Sequence, residues 1–261
     1  MRAADATDER QPIRALRACL ALAMLVVTLA GCSTGLRSGE NARTSTTATP
    51  TTTPSTPVAV TMTTDDGTTV IEASPAVPLP VGSGPQTLTL AGPPSGLLTL
   101  DPALVRDVDS AFISRQLFRG LVGFDAALNP VPELAERIEI APDGITYTFR
   151  LRDGVTFHDA TPITADRVRA SLLRAMDPAL AGGDGASLPP RRFLSDIAGA
   201  RELMDGQAQD VSGISVVDAR TLHIHLVGPA ADFLAKLAGS PSAVVDVADA
   251  ARGPDWWRKP N

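Results

Sequence analysis

The cysteine at position 32 is the residue of this chain with the most distinctive chemistry. It ends the motif Leu-Ala-Gly-Cys at residues 29–32, which follows several arginines and the apolar run 19–29. Arginines, a short apolar run and small residues before a cleavage point are typical of an export signal. A transmembrane anchor, the alternative, needs about 20 apolar residues, more than this run provides. The pattern predicts a signal peptide at residues 1–31 and a bacterial lipoprotein whose lipid is attached to the thiol of Cys32.

The histidines are the next candidates for chemistry. His158 is followed by Asp159, a pair that could transfer protons in catalysis. His223 and His225 lie two positions apart, on one face of a strand, where they could bind a metal ion. Apolar residues at 222, 224 and 226 favour an ordinary amphipathic strand instead. No glycine-rich phosphate loop, zinc-ligand cluster or nucleophile elbow occurs in the sequence. We therefore predict no catalytic residue, metal or cofactor.

Composition limits the class of partner. The chain has 261 residues, of which 44% are hydrophobic and 20% charged, and a formal net charge of −6. This acidic balance, without a basic stripe, excludes nucleic acid as a partner. The two cysteines, Cys19 and Cys32, belong to the predicted signal and lipid site, so no disulfide is expected in the exported part. Its stability must come from a hydrophobic core.

The elements that would position these residues begin after a long polar segment. Residues 33–85 are dominated by Thr, Ser, Pro and Gly. Such a composition has too little apolar surface to offset the entropy of ordering, so we predict a disordered tether at 32–85. Order is expected from about Gln86, with a strand at 87–90.

Period-two alternation predicts two hairpins. One joins 138–140 to 145–151 through the turn 141–144, and the other joins 214–217 to 221–226. A short strand is also expected at 155–158. The mixture with helices argues for a sheet that is at least partly antiparallel.

Three helices follow from the 3.6-residue period. The first is expected to be capped by Ser110 or Asp109, the second to be capped by Thr164, and the third to run from about 230 to 237. The predicted core-facing residues are Ile113, Leu117 and Leu121 in the first helix, and Ala165, Val168, Leu172 and Met176 in the second.

Several motifs, in order, resemble one known family. They are Leu-Asp-Pro at 100–102 and the segments 117–125, 132–136, 143–159, 161–166, 213–218 and 256–261. This series resembles the family 5 extracellular solute-binding proteins, the peptide, dipeptide and nickel binding components of ABC importers. One departure is Ala160, at a position where the family commonly has glycine.

The resemblance implies an α/β fold of the periplasmic-binding-protein-like type II class. Such proteins are about twice as long as this chain and close two lobes around a ligand at a hinge. Residues 86–261 are expected to form the first lobe, with a small inserted subdomain at about 118–210 and an incomplete second lobe. The sequence stops at Asn261, where the rest of the second lobe would follow, so we expect an incomplete version of the family.

The resemblance also implies a function. It predicts a monomeric, non-enzymatic lipoprotein on the outer face of the cell membrane that captures peptides and delivers them to an ABC permease. In the family, the stretch after Leu-Asp-Pro lines the cleft, which makes Arg106, Asp107 and Val108 candidate ligand contacts; an ordinary solvated loop is the alternative. By the same resemblance, His158 and Asp159 belong to a recurring turn.

Other functions remain open at this point. A surface lipoprotein could serve as an interaction module, or the chain could be a truncated fragment without a transport role. An envelope hydrolase is a third hypothesis, although no residue suggests itself as its nucleophile.

Overall fold

An antiparallel sheet organises the fold, as the period-two segments predict. The computed structural model describes residues 59–74, 96–183 and 185–258. A six-stranded sheet has the order β1-β2-β5-β6-β8-β7, and β3 pairs with β4 in a two-stranded sheet. The strands are β1 (Val60–Thr63), β2 (Thr69–Glu72), β3 (Val122–Phe124), β4 (Pro130–Pro132), β5 (Ala135–Ile140), β6 (Thr146–Leu151), β7 (Ile214–Asp218) and β8 (Thr221–His225).

Helices and short 3₁₀ turns connect these strands. The α-helices are α1 (Val108–Leu117), α2 (Ala165–Met176), α3 (Arg191–Leu194), α4 (Ala200–Met204), α5 (Phe233–Leu237) and α6 (Val247–Ala250). The 3₁₀ helices are Pro102–Leu104, Pro178–Ala181, Gly185–Ser187, Ser240–Ser242 and Trp256–Arg258. No helix in the described ranges has the length and apolarity that crossing a bilayer requires.

The core lies between one face of the large sheet and the helices. Phe149 of β6 is fully buried opposite Ile138 of β5, and Leu222 of β8 is buried beside them. Leu172 of α2 belongs to the same cluster. The two predicted hairpins are confirmed as β5–β6 and β7–β8, because each inward position carries an apolar side chain that the sheet can bury.

Ion pairs cover the outer face of the sheet. Arg137 bonds to Glu72 at 2.8 Å and to Glu139 at 2.7 Å, and Arg150 bonds to Glu136 at 2.9 Å. Each pair is largely exposed and contributes little on its own. Together they connect three neighbouring strands and favour the observed register.

The predicted tether is wrong for part of its length. Residues 60–72 form the hairpin β1–β2, and β2 pairs with β5 from Thr69↔Ile140 to Glu72↔Arg137. Val70 and Ile71 are buried, and the threonines of this segment suit a strand because they are β-branched. The rest of 32–85, the signal at 1–31 and the strand at 87–90 lie outside the described residues, apart from 59 and 73–74.

The large sheet also crosses the predicted subdomain boundary near residue 210. Strand β6 lies inside the range 118–210, and β8 lies beyond it, yet the two pair from Thr146↔His225 to Arg150↔Thr221. A subdomain that ended at this boundary would separate hydrogen-bonded strands. The sheet therefore does not divide at 210.

Two helices differ from their predictions and one agrees. Helix α2 begins after Thr164, whose hydroxyl accepts the N–H of Arg167, and its predicted stripe is buried. Helix α5 begins at Phe233 rather than at about 230. Helix α1 begins earlier and faces differently, as described below. The expected strand at 155–158 is absent from the described residues, where Thr156 makes only an isolated bridge to Pro162.

Candidate functional site

The segment that follows Leu-Asp-Pro is fixed by a buried carboxylate. Asp101 is 2% exposed, and its side chain accepts the N–H of Ala103 at 3.1 Å. It also pairs with both terminal nitrogens of Arg174 in α2 and accepts the indole N–H of Trp256 at 2.9 Å. A buried charge is tolerated when its partners satisfy it in this way. Asp101 therefore ties the start of this segment to α2 and to the end of the described chain.

Trp256 also contacts Arg174, the other partner of Asp101. The guanidinium of Arg174 lies 5.8 Å from the centre of its ring, and Phe118 packs against it edge-on at 5.8 Å. The sequence predicts that at least one of the adjacent Trp256 and Trp257 is in the core; Trp256 is buried and Trp257 is half-buried. The prediction is confirmed.

Helix α1 starts directly after the anchored segment. The carboxylate of Asp107 caps it by accepting the N–H of Ser110 at 2.8 Å. That bond, and then the Ser110 hydroxyl, stabilise the charged form and lower the pKa of Asp107 from its ordinary value of 3.8. The predicted cap at Ser110 or Asp109 is thus displaced to Asp107.

The two sides of α1 are inverted relative to the prediction. Ser110 and Ser114 are buried, whereas Val108 is 85% exposed, Phe112 53% and Leu117 48%. Ile113 is half-buried, and Leu121 is buried but lies after the end of the helix. The expected stripe Ile113, Leu117 and Leu121 is therefore wrong as a core face, and α1 presents apolar side chains outward.

Two grooves flank α1. The first, here called the Arg106 groove, has a volume of about 490 Å³ and lies between the start of α1 and the turns at Gly185–Ser187 and Ser240–Ser242. The second, the Phe124 groove, has a volume of about 530 Å³ and lies between α1 and β3. Val108, Ala111 and Arg115 line both of them. Residues on one side of α1 therefore form part of the wall of both grooves.

Charged and aromatic groups shape the walls of these grooves. Arg106 donates to the carbonyl of Ser187 at 2.7 Å and so connects the two sides of its groove. In the Phe124 groove, Arg115 lies 5.1 Å above the ring of Phe124, and Arg119 pairs with Glu133 at 2.7 Å. Both grooves combine apolar side chains with charged and polar groups, a combination that occurs in small-ligand sites.

Comparison with known proteins identifies this architecture. Residues 129–261, half of the chain, match the family described as bacterial extracellular solute-binding proteins, family 5, Middle. The chain belongs to this family. The sequence resemblance and the non-enzymatic class that it implies are thereby confirmed, because family 5 members are solute-binding proteins.

Individual family 5 relatives cover parts of the chain. The glutathione-binding protein GsiB of Escherichia coli K12 is 41% identical over 85 residues, which is 33% of this chain and 17% of that protein. The chain thus matches about a sixth of the length of this curated relative.

Solved structures give a longer match. The murein tripeptide binding protein MppA of Escherichia coli is 32% identical, with a TM-score of 0.54, over 62% of this chain and 31% of that one. A periplasmic oligopeptide-binding protein, OppAIV of Borrelia burgdorferi, is also 32% identical, with a TM-score of 0.55, over 61% and 31%. The predicted α/β type II fold with partial lobes is confirmed.

The family-derived candidates Arg106, Asp107 and Val108 come together at the Arg106 groove. Sequence reasoning missed Arg115 and Arg192, which line the same groove. Positions 108, 111, 112 and 115 follow the i, i+3, i+4, i+7 pattern of one helix face, so Arg115 had a local signal. Arg192 comes from α3, far along the chain, and had none.

The histidines lie elsewhere. His158 is exposed, and the carboxylate of Asp159 accepts the N–H and hydroxyl of Thr161 at 2.8 and 2.7 Å, so Asp159 caps a turn. On the outer face of β8, the Nδ1 atom of His225 lies 3.2 Å from the hydroxyl of Thr146. The described residues contain no group of three side chains placed to hold a metal ion.

Proposed function

We propose that the protein captures peptides outside the cell for an ABC importer. The observation that supports this is the outward apolar side of α1, which lines two grooves beside a segment held rigidly by Asp101. A globular domain buries such a surface against something. In a two-lobed binding protein, the ligand and the facing lobe cover it.

The proposed mechanism is a shift between open and closed states. A ligand that contacts both lobes stabilises the closed form, which then docks on the transporter. Peptides offer main-chain groups that any sequence shares, and roomy wet pockets tolerate varied side chains. The proposed mechanism involves no bond chemistry.

The proposed ligand contacts are Arg106, Asp107 and Val108. Asp101 fixes the backbone seven residues before α1 begins, which supports the positions of these three residues at the wall of the groove. Preorganised contacts lose less entropy on binding than mobile ones. The contact residues are therefore held by an anchor that is separate from the groove.

A half-cleft should bind poorly. With one wall only, polar groups of the ligand stay in water and no closed state can be selected. We expect this chain to bind a pool of di- to pentapeptides weakly, with dissociation constants on the order of millimolar. A chain carrying the remaining length of its relatives should bind far more tightly and close. Calorimetry on both decides the question; tight, saturable binding by the present chain would contradict the two-lobe proposal.

The lipid anchor is the second part of the proposal. Two or three acyl chains on Cys32 would hold the protein stably at the membrane, near its permease. Cys32→Ser should release the protein from the membrane fraction, while the matched Cys19→Ser should leave it anchored. Membrane partitioning of Cys32→Ser, with no lipid on the wild type by mass spectrometry, would refute the anchor.

A further inference from the structure

The Arg106 groove carries an excess of unpaired positive charge. Arg106, Arg115 and Arg192 line it, and Asp107 is the acidic residue of its lining, which gives a formal net charge of +2. Among the ion pairs of the described residues, none involves these three arginines. Most other arginines of the domain have a carboxylate partner, so the groove stands out from the rest of the surface.

One oxygen of Asp107 is used locally, while its Oδ2 atom is buried without a hydrogen-bond partner in the described part of the chain. Its carboxylate caps α1, where the helix dipole and the N–H of Ser110 stabilise it. Arg106 and Arg115 keep spare donors, since Arg106 donates one N–H to Ser187 and Arg115 lies over the face of Phe124. None of the three arginines forms an ion pair with Asp107, so the groove offers several charged donors.

A second observation lies on the adjoining wall. The hydroxyl of Ser114 is buried and has no hydrogen-bond partner within the described part of the chain. Ser114 lines the Phe124 groove, next to Arg115. A buried hydroxyl without a partner is costly, and a ligand oxygen could supply the missing bond.

We propose that the grooves along α1 bind a carboxylate of the ligand, through Arg115 with Arg106 and Arg192, and so select solutes that carry one. This rests on the proposed function and specifies its substrate class. Guanidinium groups bind carboxylates through paired, charge-assisted hydrogen bonds, which are about twice as strong as neutral ones. The carboxylate could be a peptide C-terminus or an acidic side chain.

Arginine Nε–Hε signals in ¹H–¹⁵N spectra of the purified protein report binding directly. The probes are Ala-Ala-Ala, its C-terminal amide, Ala-Glu-Ala amide and succinate, each titrated to about 20 mM. Trialanine should bind about tenfold more tightly than its amide, because the amide lacks the charge. If Ala-Glu-Ala amide binds as tightly as trialanine, an acidic side chain can supply the carboxylate as well as a C-terminus does.

Variants connect the preference to the groove. Arg115→Gln and Arg192→Gln should each bring the acid-to-amide ratio close to one, and Arg115→Lys should retain part of it. Arg201→Gln, at an exposed arginine of α4 outside both grooves, is the matched control and should keep the wild-type ratio. The remaining amide spectrum checks that each variant is folded.

The outcomes separate this inference from the proposed function. Equal binding of trialanine and its amide overturns the carboxylate site and leaves peptide capture intact. Succinate binding without any peptide binding supports the carboxylate site and contradicts the millimolar peptide binding expected of this chain. If no probe shifts the arginine signals, the groove does not hold anions and the inference is overturned.

Discussion

Helices α1 and α2 are capped in the same way, but they differ in which side chains they bury. Each follows a residue whose side-chain oxygen accepts a backbone N–H, Asp107 before α1 and Thr164 before α2. Helix α2 buries its apolar stripe against the sheet, with Val168 and Leu172 in the core. Helix α1 buries serines and exposes Val108 and Phe112.

The contrast distinguishes apolar residues that are buried in the core, on α2, from apolar residues that are exposed at the surface, on α1. An apolar stripe on α2 stabilises the domain because the same chain covers it. The exposed apolar side chains of α1 are not covered by the described domain, so they contribute less to its stability. Substitutions on the two helices should therefore affect different measurements.

The largest effect is expected where the two regions are joined, at Asp101. Asp101→Ala would leave Arg174 buried without its counter-charge and remove the acceptor of the Trp256 indole, so the free energy of unfolding should fall by about 3–5 kcal/mol. Urea denaturation measures this. Asp65→Ala, at an exposed turn acid, is the matched control and should change stability by less than about 0.5 kcal/mol. A similar small loss for Asp101→Ala would mean that the anchor does not hold the two regions together.

A core substitution on α2 and a larger truncation on α1 test the contrast directly. Leu172→Ala should cost about 3 kcal/mol of stability, because Leu172 is 1% exposed and its removal leaves a cavity. Phe112→Ala removes more atoms but should cost less than about 1 kcal/mol, since half of the ring is already in water. Urea denaturation of the two variants gives both values. Equal losses would show that α1 is as firmly packed as α2.

Acid should distinguish the two helix caps. The folded-state pKa of Asp107 is lowered, so its carboxylate stabilises the fold above pH 4 or so, and this contribution disappears as the pH falls through the lowered value. The Thr164 hydroxyl does not titrate. At pH 7 both Asp107→Ala and Thr164→Ala should cost about 1 kcal/mol.

Stability curves at pH 7 and in acid give the comparison. The difference between wild type and Asp107→Ala should shrink towards about pH 2–3, while that of Thr164→Ala stays constant. Parallel pH profiles for the two variants would contradict a carboxylate cap on α1.

The smallest effect concerns the turn that leads into α2. Ala160 has φ 66°, a left-handed conformation that costs an alanine more than a glycine. Ala160→Gly should raise the free energy of unfolding by about 0.5 kcal/mol, because relief of strain exceeds the added freedom of the unfolded chain. Ala179→Gly, exposed in a 3₁₀ helix, should lower it by a similar amount. A loss of stability in both variants, measured by thermal unfolding, would exclude strain at Ala160.

Local periodicity was sufficient for the parts of the fold that bury their apolar side. The hairpins and α2 could be predicted because their inward-facing apolar residues meet the core of the same chain. The core face of α1 could not, since the helix buries Ser110 and Ser114, and the spacing of its apolar residues does not show which side faces the core. The β1–β2 hairpin was missed because composition outweighed the few apolar residues, such as Val70 and Ile71, that dock it on β5.

The candidate site was predictable only in part. Arg106, Asp107 and Val108 followed from the family resemblance, and their place at a groove agrees with it. The role of Asp101 depends on partners 73 and 155 residues away, and no local pattern reports such contacts. Arg192 joins the groove through the same kind of long-range packing.

The bond between Asp101 and Trp256 has a consequence for the order of folding. A ribosome that adds about 5–20 residues per second makes Trp256 roughly 8–30 s after Asp101, since 155 positions separate them. Arg174 is available earlier, so the loop before α1 first meets a charge and only later the indole that covers it. The wall of the groove is thus synthesised well before the indole that completes its anchor.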